Sequence, residues 1–281
     1  MKKGIYDILK IYWNALEFLP GQKKAINAIL DNKDCLVVLQ TGGGKSLCYQ
    51  LPTLTKPGLC VVISPLIALM NDQVEGLKKK GVRAMNLSGP MREDDLVTAL
   101  DNCKFGEFKF LYLSPERAQH PLVQDRLSEI KLCLLAIDEA HCISEWGHDF
   151  RPAYREIIGL KNKLFNTPTI ALTATATKRV KEDICKVLEL KHPVRITDSF
   201  DRPNIEIKVL KTVNKLEDIS KALEPKGTPA IVYAGTRKSV ELLSVQLNNL
   251  GHQTNFFHGS AIAKEKRIAN WIQEKTPVMV A

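Results

Sequence analysis

The sequence predicts an α/β protein built on a parallel sheet flanked by helices, and three observations support this fold class. Short, continuous apolar runs recur along the chain with helical patterns between them, as is typical of strands buried on both faces of a parallel sheet. Polar turns follow these runs, at the positions where parallel sheets place their ligands. A hydrophobic content of 44% over 281 residues is enough for one large core or two smaller ones.

Five apolar runs predict the strands of a first sheet. They lie at residues 35–39, 59–63, 108–113, 132–137 and 169–172. The turns that follow them contain, in the same order, TGGGKS, SPL, SPER, DEAH and TAT. Because parallel strands present their carboxyl ends at one edge, we expect these five turns to face the same side of the sheet.

A break in the pattern predicts two domains, over residues 1–203 and 204–281. The segment 191–204 follows a predicted helix at 178–190, loses periodicity and contains Pro193 and Pro203. A second α/β pattern then begins. Its predicted strands are 205–210, 230–233, 254–257 and 278–281, and its predicted helices are 215–223, 238–250 and 264–273. Because the last strand is interrupted at Ala281, we expect this second domain to be incomplete.

The turn after the first strand has the composition of a phosphate-binding loop. Its residues are Thr41, Gly42, Gly43, Gly44, Lys45 and Ser46. The glycines allow backbone N–H groups to turn onto phosphate oxygens. Lys45 would supply a cation for the outer phosphates, and Ser46, at the start of a predicted helix over 46–54, a hydroxyl for Mg²⁺. A strict version of the motif has glycine in place of Leu39.

Two carboxylates follow the fourth predicted strand. Asp138 is placed to hold Mg²⁺ through water, and Glu139 to orient and deprotonate the attacking nucleophile. The alternative is that these residues only end a strand and cap a helix. Taken with Lys45, they predict a catalytic site for ATP and Mg²⁺ where two neighbouring strands end.

Composition excludes several classes of protein. No apolar run approaches the roughly 20 residues of a membrane span, and charged residues interrupt the amino-terminal segment, so neither a membrane protein nor a secretion signal is predicted. Seven cysteines without a CxxC pair argue against disulfides and against a zinc site. The net charge of +9 favours a polyanionic partner without proving one. We expect an intracellular protein, cytoplasmic or chromosome-associated.

An ordered series of motifs resembles the RecQ family of superfamily-two DNA helicases over nearly the whole chain. The motifs are FLPGQ at 18–22, TGGGKSLCYQLP at 41–52, VVISPLIALMNDQV at 61–74, LSPER at 113–117, DEAHCISEWGHDFRPAY at 138–154, ALTATAT at 171–177 and SFDRPN at 199–204. YAGTRKSVELL at 233–243 and FHGS at 257–260 resemble degenerate later motifs. The resemblance implies a P-loop NTPase domain of the RecA-like type, followed by part of a second RecA-like domain.

The resemblance also implies roles for individual residues. Gln22 would recognise adenine, although the family usually has arginine where Leu19 stands, and His141 would relay between the DEAH and TAT strands. The implied DNA contacts are Ser64, Ser114, Arg117, Trp146, His148, Phe150, Arg151 and Arg237. Exposed rings and cations suit stacking on unpaired bases and binding of phosphate. Turn capping by the serines, and a core position for Phe150, are the alternatives.

The implied activity is ATP-driven translocation on single-stranded DNA and unwinding of duplex DNA with three-prime to five-prime polarity, in DNA repair and recombination. We expect the family's last motifs and its arginine finger to lie beyond Ala281, so the chain should bind nucleotide with little hydrolysis. Two alternatives stay open. One is an RNA helicase of the same superfamily, and the other is a nucleotide-sensing nucleic-acid binding module that does not unwind.

Overall fold

Two units, each built on its own parallel sheet, make up the chain. The computed structural model describes residues 4–198 and 204–281. The boundary between the units falls at residues 202 and 203. Residues 199–203 of the SFDRPN motif lie outside the described residues.

The first unit contains seven parallel strands. These are β1 (Cys35–Val38), β2 (Leu59–Ile63), β3 (Ala84–Asn86), β4 (Phe110–Leu113), β5 (Leu132–Ile137), β6 (Thr169–Thr173) and β7 (Val194–Thr197). Their order across the sheet is β3-β4-β2-β5-β6-β1-β7, and every neighbouring pair is parallel. The predicted parallel α/β fold is therefore confirmed.

Helices cover both faces of this sheet. They are α1 (Ile5–Trp13), α2 (Gln22–Leu30), α3 (Leu47–Thr55), α4 (Ile67–Lys79), α5 (Glu93–Phe105), α6 (Pro115–Ala118), α7 (Pro121–Ser128), α8 (Pro152–Arg155), α9 (Ile157–Lys163) and α10 (Lys178–Val187). A 3-10 turn, Ala140–Ile143, follows β5. No helix among the described residues is long and apolar enough to span a membrane.

Side chains of each central strand pack alternately into two cores. In β1, Leu36 and Val38 join the core on one face, whereas Cys35 and Val37 join the core on the other. All four are buried. Burial on both faces explains why these strands have continuous apolar runs, since neither side of the strand contacts water.

The strand order corrects one expectation about the site. Strand β6 lies between β1 and β5, so the phosphate loop and the acidic pair do not follow neighbouring strands. Strand order depends on which strands hydrogen-bond to each other after folding, and no local pattern encodes that pairing. As a result, the TAT turn after β6 lies between the other two turns.

Two edge strands were not predicted. Strand β3 has only three residues and ends in polar Asn86, so it lacks an apolar run. Strand β7 lies in the segment interpreted as a crossing between domains, yet Ile196 packs into the core and the strand pairs with β1. Pro193 directly precedes β7, a position that proline tolerates at a sheet edge. Both strands are too short or too polar for the periodic signal that reveals central strands.

The second unit contains a three-stranded parallel sheet. Its elements are α11 (Lys215–Ala222), β8 (Ala230–Val232), α12 (Arg237–Asn249), β9 (Thr254–Phe256), α13 (Lys264–Ile272) and β10 (Val278–Val280), with the strand order β8-β10-β9. The strand predicted at 205–210 is wrong, since these residues, all described, form no strand. Ile207 and Val209 are strongly exposed and pack against no core that would hold an apolar strand face.

Asp34 ties together the starts of three strands. Its Oδ1 accepts a hydrogen bond from the Thr169 N–H at 2.8 Å, at the start of β6, and its Oδ2 accepts one from the Lys191 N–H at 2.8 Å. Its backbone oxygen accepts from the Val194 N–H at the start of β7. One carboxylate therefore fixes β6 and the approach to β7 against β1.

We expect Asp34→Ala to lower the free energy of unfolding by about 3 kcal/mol or more, because each hydrogen bond to a charged group contributes roughly 1.5–3 kcal/mol and two N–H groups would lose their partner. Asp31→Ala is the matched control, since Asp31 pairs only with exposed Lys33 among the described residues. Urea unfolding measures the free energy of unfolding of both variants. Equal stabilities of the two variants would contradict the anchoring role.

Candidate nucleotide and nucleic-acid site

The phosphate loop connects β1 to α3 in a conformation that requires glycine. Gly42 and Gly44 have φ values of 81° and 66°, which side chains rarely adopt. A Cβ on Gly43 would lie 2.9 Å from the Gln40 carbonyl oxygen. Ser46 caps the start of α3, where unpaired N–H groups and the helix dipole favour phosphate. Leu39, the departure from the strict motif, is buried in the core.

The side chain of Gln22 forms hydrogen bonds with the backbone of the phosphate loop. Its Nε2 donates to the carbonyl oxygens of Gly43 at 3.1 Å and Gly44 at 3.3 Å, and its Oε1 accepts from the Leu19 N–H at 2.9 Å. The side chain is buried. Contact with adenine, which remains a prediction, requires these hydrogen bonds to change. The sequence did not indicate this coupling between Gln22 and the loop.

Asp138 and Glu139 differ in their ionisation although they are adjacent. Burial raises the pKa of Asp138 to about 6, and the charge of Glu139 adds to this, whereas the Glu139 N–H, at 3.0 Å from Oδ1, and the charges of Lys45 and His141 oppose it. For Glu139, a hydrogen bond with His141 lowers the pKa, with Lys45 contributing. Lys45 therefore acts electrostatically on both carboxylates, as the predicted site requires.

The predicted Mg²⁺ ligands both act on the buried hydroxyl of Tyr49. Burial raises the pKa of Tyr49 well above its ordinary value, the charges of Tyr112 and Asp138 add to this, and a hydrogen bond with Ser46 opposes it. The donor set of Ser46 and Asp138, one hydroxyl and one carboxylate whose ionised form is destabilised by burial, fits a hard divalent cation that would supply the missing positive charge.

His141 joins strands β5 and β6. Its Nδ1 lies 2.9 Å from Thr173 Oγ1 and 3.3 Å from Glu139 Oε2, and the ring is buried. The contact on which the predicted relay depends is therefore present. Glu139 itself has a φ of 47°, a left-handed conformation that costs a non-glycine residue on the order of 1–3 kcal/mol. Tyr154, whose hydroxyl donates to the Asp138 carbonyl oxygen at 2.9 Å, helps to hold this turn.

The loop 144–151 exposes the predicted DNA-binding side chains but pairs most of them within the protein. Trp146 is 60% exposed, yet the Arg179 guanidinium carbon lies 3.4 Å from its ring centroid. The ring of His148 stacks on His141 at 4.0 Å. Arg151 donates to Asp149 Oδ2 at 3.0 Å and to the Pro65 carbonyl oxygen at 3.2 Å. These contacts link the loop directly to the acidic turn.

Gly147 and Phe150 complete the loop. A Cβ on Gly147 would lie 2.4 Å from the His141 carbonyl oxygen, so the loop folds back on the acidic turn too closely for any side chain. Phe150 is 36% exposed, with the Arg155 guanidinium carbon 5.6 Å from its ring centroid. It therefore lies at the surface rather than in the core.

The remaining residues that are predicted to contact DNA lie in three different surroundings. Ser114 and Arg117 line a cavity of about 360 Å³, where Arg117 donates to the carbonyl oxygens of Leu87 and Gly89. Ser64 is buried, and its hydroxyl has no hydrogen-bond partner among the described residues. Arg237 belongs to the second unit and donates to Ser260 Oγ at 2.7 Å.

A sequence profile of the DEAD/DEAH box helicases matches residues 19–184, more than half of the chain. The chain belongs to the DEAD/DEAH box helicase family. It is therefore part of an enzyme family, and the matched residues include the phosphate loop and the acidic turn described above.

Relatives and solved structures agree with this assignment. The ATP-dependent DNA helicase RecQ of Haemophilus influenzae is 40% identical over all of this chain and 46% of its own length. RecQ of Bacillus subtilis is 38% identical over 98% of this chain and 47% of its own length. The chain thus spans about half the length of the curated relatives it matches. The resemblance to RecQ helicases is confirmed.

Solved helicases share the fold at low identity. The Mycobacterium smegmatis helicase Lhr, bound to single-stranded DNA and AMP-PNP, has a TM-score of 0.67 at 17% identity, covering 99% of this chain and 41% of its own. The helicase MrfA, bound to DNA, has a TM-score of 0.74 at 15% identity, also covering 99% of this chain and 41% of its own.

Three residues of this helicase site were not identified from the sequence. Arg179 covers Trp146, Tyr154 supports Asp138, and Arg155 contacts both Glu145 at 3.0 Å and the carbonyl oxygen of Ile143 at 3.3 Å. Arg179 lies far along the chain from the loop, so no local pattern joins them. Tyr154 ends a quoted motif and Arg155 directly follows it, but their partners are decided by the fold.

The opposite pKa shifts predict opposite effects of neutral substitutions on stability. Ionising Asp138 costs folding free energy as the pH rises from its ordinary pKa near 4 through about 6. Asp138→Asn should therefore stabilise the nucleotide-free protein above pH 6 by about 2–3 kcal/mol, with the gain vanishing towards pH 4. Glu139→Gln should destabilise it at neutral pH, because ionised Glu139 is stabilised by His141.

Urea unfolding of both variants and the unsubstituted protein at pH 4 and pH 7.5 measures this difference. Stability shifts of the same sign at pH 7.5 would contradict the assigned electrostatics.

Proposed function

We propose that the first unit binds ATP with Mg²⁺ and couples its hydrolysis to movement on single-stranded DNA, as the motor of a RecQ-type helicase. One observation carries the proposal: His141 contacts Glu139, Thr173 and the ring of His148. The acidic turn, the TAT strand and the exposed loop are thus joined at a single side chain. Through this contact, DNA bound to the loop would affect Glu139, the carboxylate that would act on water.

The nucleotide roles follow from the positions of the side chains. The backbone of Thr41, Gly42, Gly43 and Gly44 would hold the phosphates, Lys45 would neutralise the outer phosphate, and Ser46 with Asp138 would hold Mg²⁺. Bound Mg²⁺ would neutralise charge on the phosphates and lower the pKa of Asp138 by supplying a cation. Glu139, kept ionised by His141, would accept the proton of the attacking water.

The DNA roles belong to the exposed loop and the adjacent strand ends. Trp146 and Phe150 would stack on unpaired bases, whereas Arg151, Arg117 and His148 would contact phosphates. Ser64 and Ser114 would donate hydroxyl hydrogen bonds to the backbone, and the unpaired Ser64 hydroxyl is consistent with such a missing partner. In the second unit, Arg237 would contact DNA. Translocation with three-prime to five-prime polarity, duplex unwinding and a role in repair and recombination inside the cell are proposed on the likeness to RecQ relatives.

Lys45→Ala should weaken binding of a non-hydrolysable ATP analogue with Mg²⁺ by about ten- to hundredfold, since a charge-assisted hydrogen bond contributes roughly 1.5–3 kcal/mol. Lys33→Ala is the matched control, because Lys33 is an exposed lysine paired with Asp31. Glu139→Gln should bind the analogue as well as the unsubstituted protein, because Glu139 is proposed to act on water and not to hold the nucleotide. Calorimetry measures the affinities. Binding that survives Lys45→Ala would overturn the nucleotide site.

Trp146 and Arg151 should contribute to DNA affinity in separable ways. Stacking is worth about 1–3 kcal/mol per base, so Trp146→Ala should weaken binding about tenfold without changing its dependence on salt. Arg151→Ala should weaken binding and reduce the slope of log affinity against log salt by about 0.7, as expected for one lost phosphate contact on a single strand.

Fluorescence anisotropy with labelled single strands at several salt concentrations tests both substitutions. Lys163→Ala, at a surface ion pair with Asp125, is the control and should change neither quantity. Affinity that is independent of salt would count against phosphate binding. Tighter binding of the matching RNA strand would favour the RNA-helicase alternative.

A further inference from the structure

A cluster of possible metal ligands lies beside the acidic turn, and two of its members, Cys142 and Asp149, have no part in the functions proposed above. His141, Cys142 and Asp149 each offer a ligand atom, and all three atoms lie within 4.8 Å of one another. We propose that these residues bind a thiophilic divalent cation of the Zn²⁺ class. Cys142 and Asp149 are then functional residues, and His141 serves the metal through its second ring nitrogen.

Two of the three distances between the ligand atoms match the edges of a tetrahedral site, and the third, between His141 and Asp149, is no longer than 4.8 Å. Zinc bonds of about 2.3 Å to sulfur and 2.0–2.2 Å to nitrogen or oxygen place sulfur about 3.6 Å from the other ligand atoms at tetrahedral angles. The observed distances are 3.7 Å from Cys142 Sγ to His141 Nε2 and 3.8 Å from Cys142 Sγ to Asp149 Oδ2. Only small movements of the side chains would therefore complete the coordination.

The other ring nitrogen of His141, Nδ1, is already fixed by neighbouring oxygens. Nδ1 lies 2.9 Å from Thr173 Oγ1 and 3.3 Å from Glu139 Oε2, so a proton on Nδ1 satisfies these acceptors and leaves the Nε2 lone pair for a metal. A carboxylate behind a ligating histidine is the usual arrangement in zinc sites, where it sets the tautomer and the ring orientation.

Access to the cluster comes from a cavity of about 490 Å³ that all three ligands line. His148 also lines this cavity and stacks on His141, so either its ring or a water molecule can occupy the fourth position. Binding breaks the S–H bond of Cys142, releases one proton to solvent and forms a metal–thiolate bond. No redox partner is required.

A cation at this position would change both functional neighbours. Asp149 now accepts hydrogen bonds from Arg151, and coordination would release that guanidinium. Two added positive charges beside His141 would also hold Glu139 more firmly in its ionised form and reduce its basicity. A thiophilic metal would thereby regulate the loop and the acidic turn together.

Cobalt titration tests the site, because Co²⁺ bound to a thiolate gives a near-ultraviolet charge-transfer band that oxygen-bound Co²⁺ lacks. Excess Mg²⁺ blocks the carboxylate at Asp138, and a phosphine reductant keeps the thiols reduced without competing for metal. We expect one Co²⁺ per chain with this band, and its displacement by Zn²⁺.

Three substitutions locate the metal. Cys142→Ser should abolish the band, and Asp149→Asn, at an exposed position, should weaken Co²⁺ binding at least about tenfold, as loss of a ligating or orienting group does. Cys185→Ser, at the one cysteine that is partly exposed, should leave the charge-transfer band unchanged. Absence of the band, its persistence in Cys142→Ser, unchanged affinity in Asp149→Asn, or its loss in Cys185→Ser would each overturn the proposal.

Discussion

The site depends on the interaction of His141 with Glu139 and Thr173. This contact spans β5 and β6 through Nδ1 of the ring and stabilises the ionised carboxylate of Glu139. One face of the ring stacks on His148 in the exposed loop. Because the histidine is buried between these partners, a displacement of any one of them must alter the others.

The acidic turn is arranged for function at a cost in stability. Glu139 has a left-handed backbone, and Asp138 is buried beside a like charge. Neither feature would help a protein whose carboxylates merely ended a strand, which was the alternative interpretation of the motif. Both features are compatible with a site that receives a divalent cation and a polyphosphate, since these supply the charge that balances the turn.

The loop makes contacts inside the protein that a DNA ligand would have to replace. Arg179 covers one face of Trp146, and Asp149 binds Arg151. A base that stacks on the covered face, or a phosphate that binds the guanidinium, would exchange one interaction for a similar one, so the net gain is smaller than the gross contact energy. Release of Arg151 would also change the surroundings of Asp149, which lies beside Cys142 and His141. With the proposed DNA and metal ligands bound, phosphate, metal and arginine would compete for these few groups.

The sequence by itself determined the parallel α/β fold, the five central strands, the phosphate loop and the acidic turn. These features depend on local patterns, namely apolar runs buried on both faces and short motifs such as TGGGKS and DEAH at the ends of strands. The helicase family also followed from the order of those motifs.

Only the tertiary structure decided the remaining features. The position of β6 between β1 and β5, the pairing of β7 with β1, the exposure of residues 205–210, and the contact of Gln22 with the loop all depend on partners distant in the chain. Arg179 over Trp146 and the cluster of Cys142 with Asp149 are of the same kind. The physical reason is that hydrogen bonds, ring contacts and metal ligands are set by distances of a few ångströms in space, which sequence spacing does not encode.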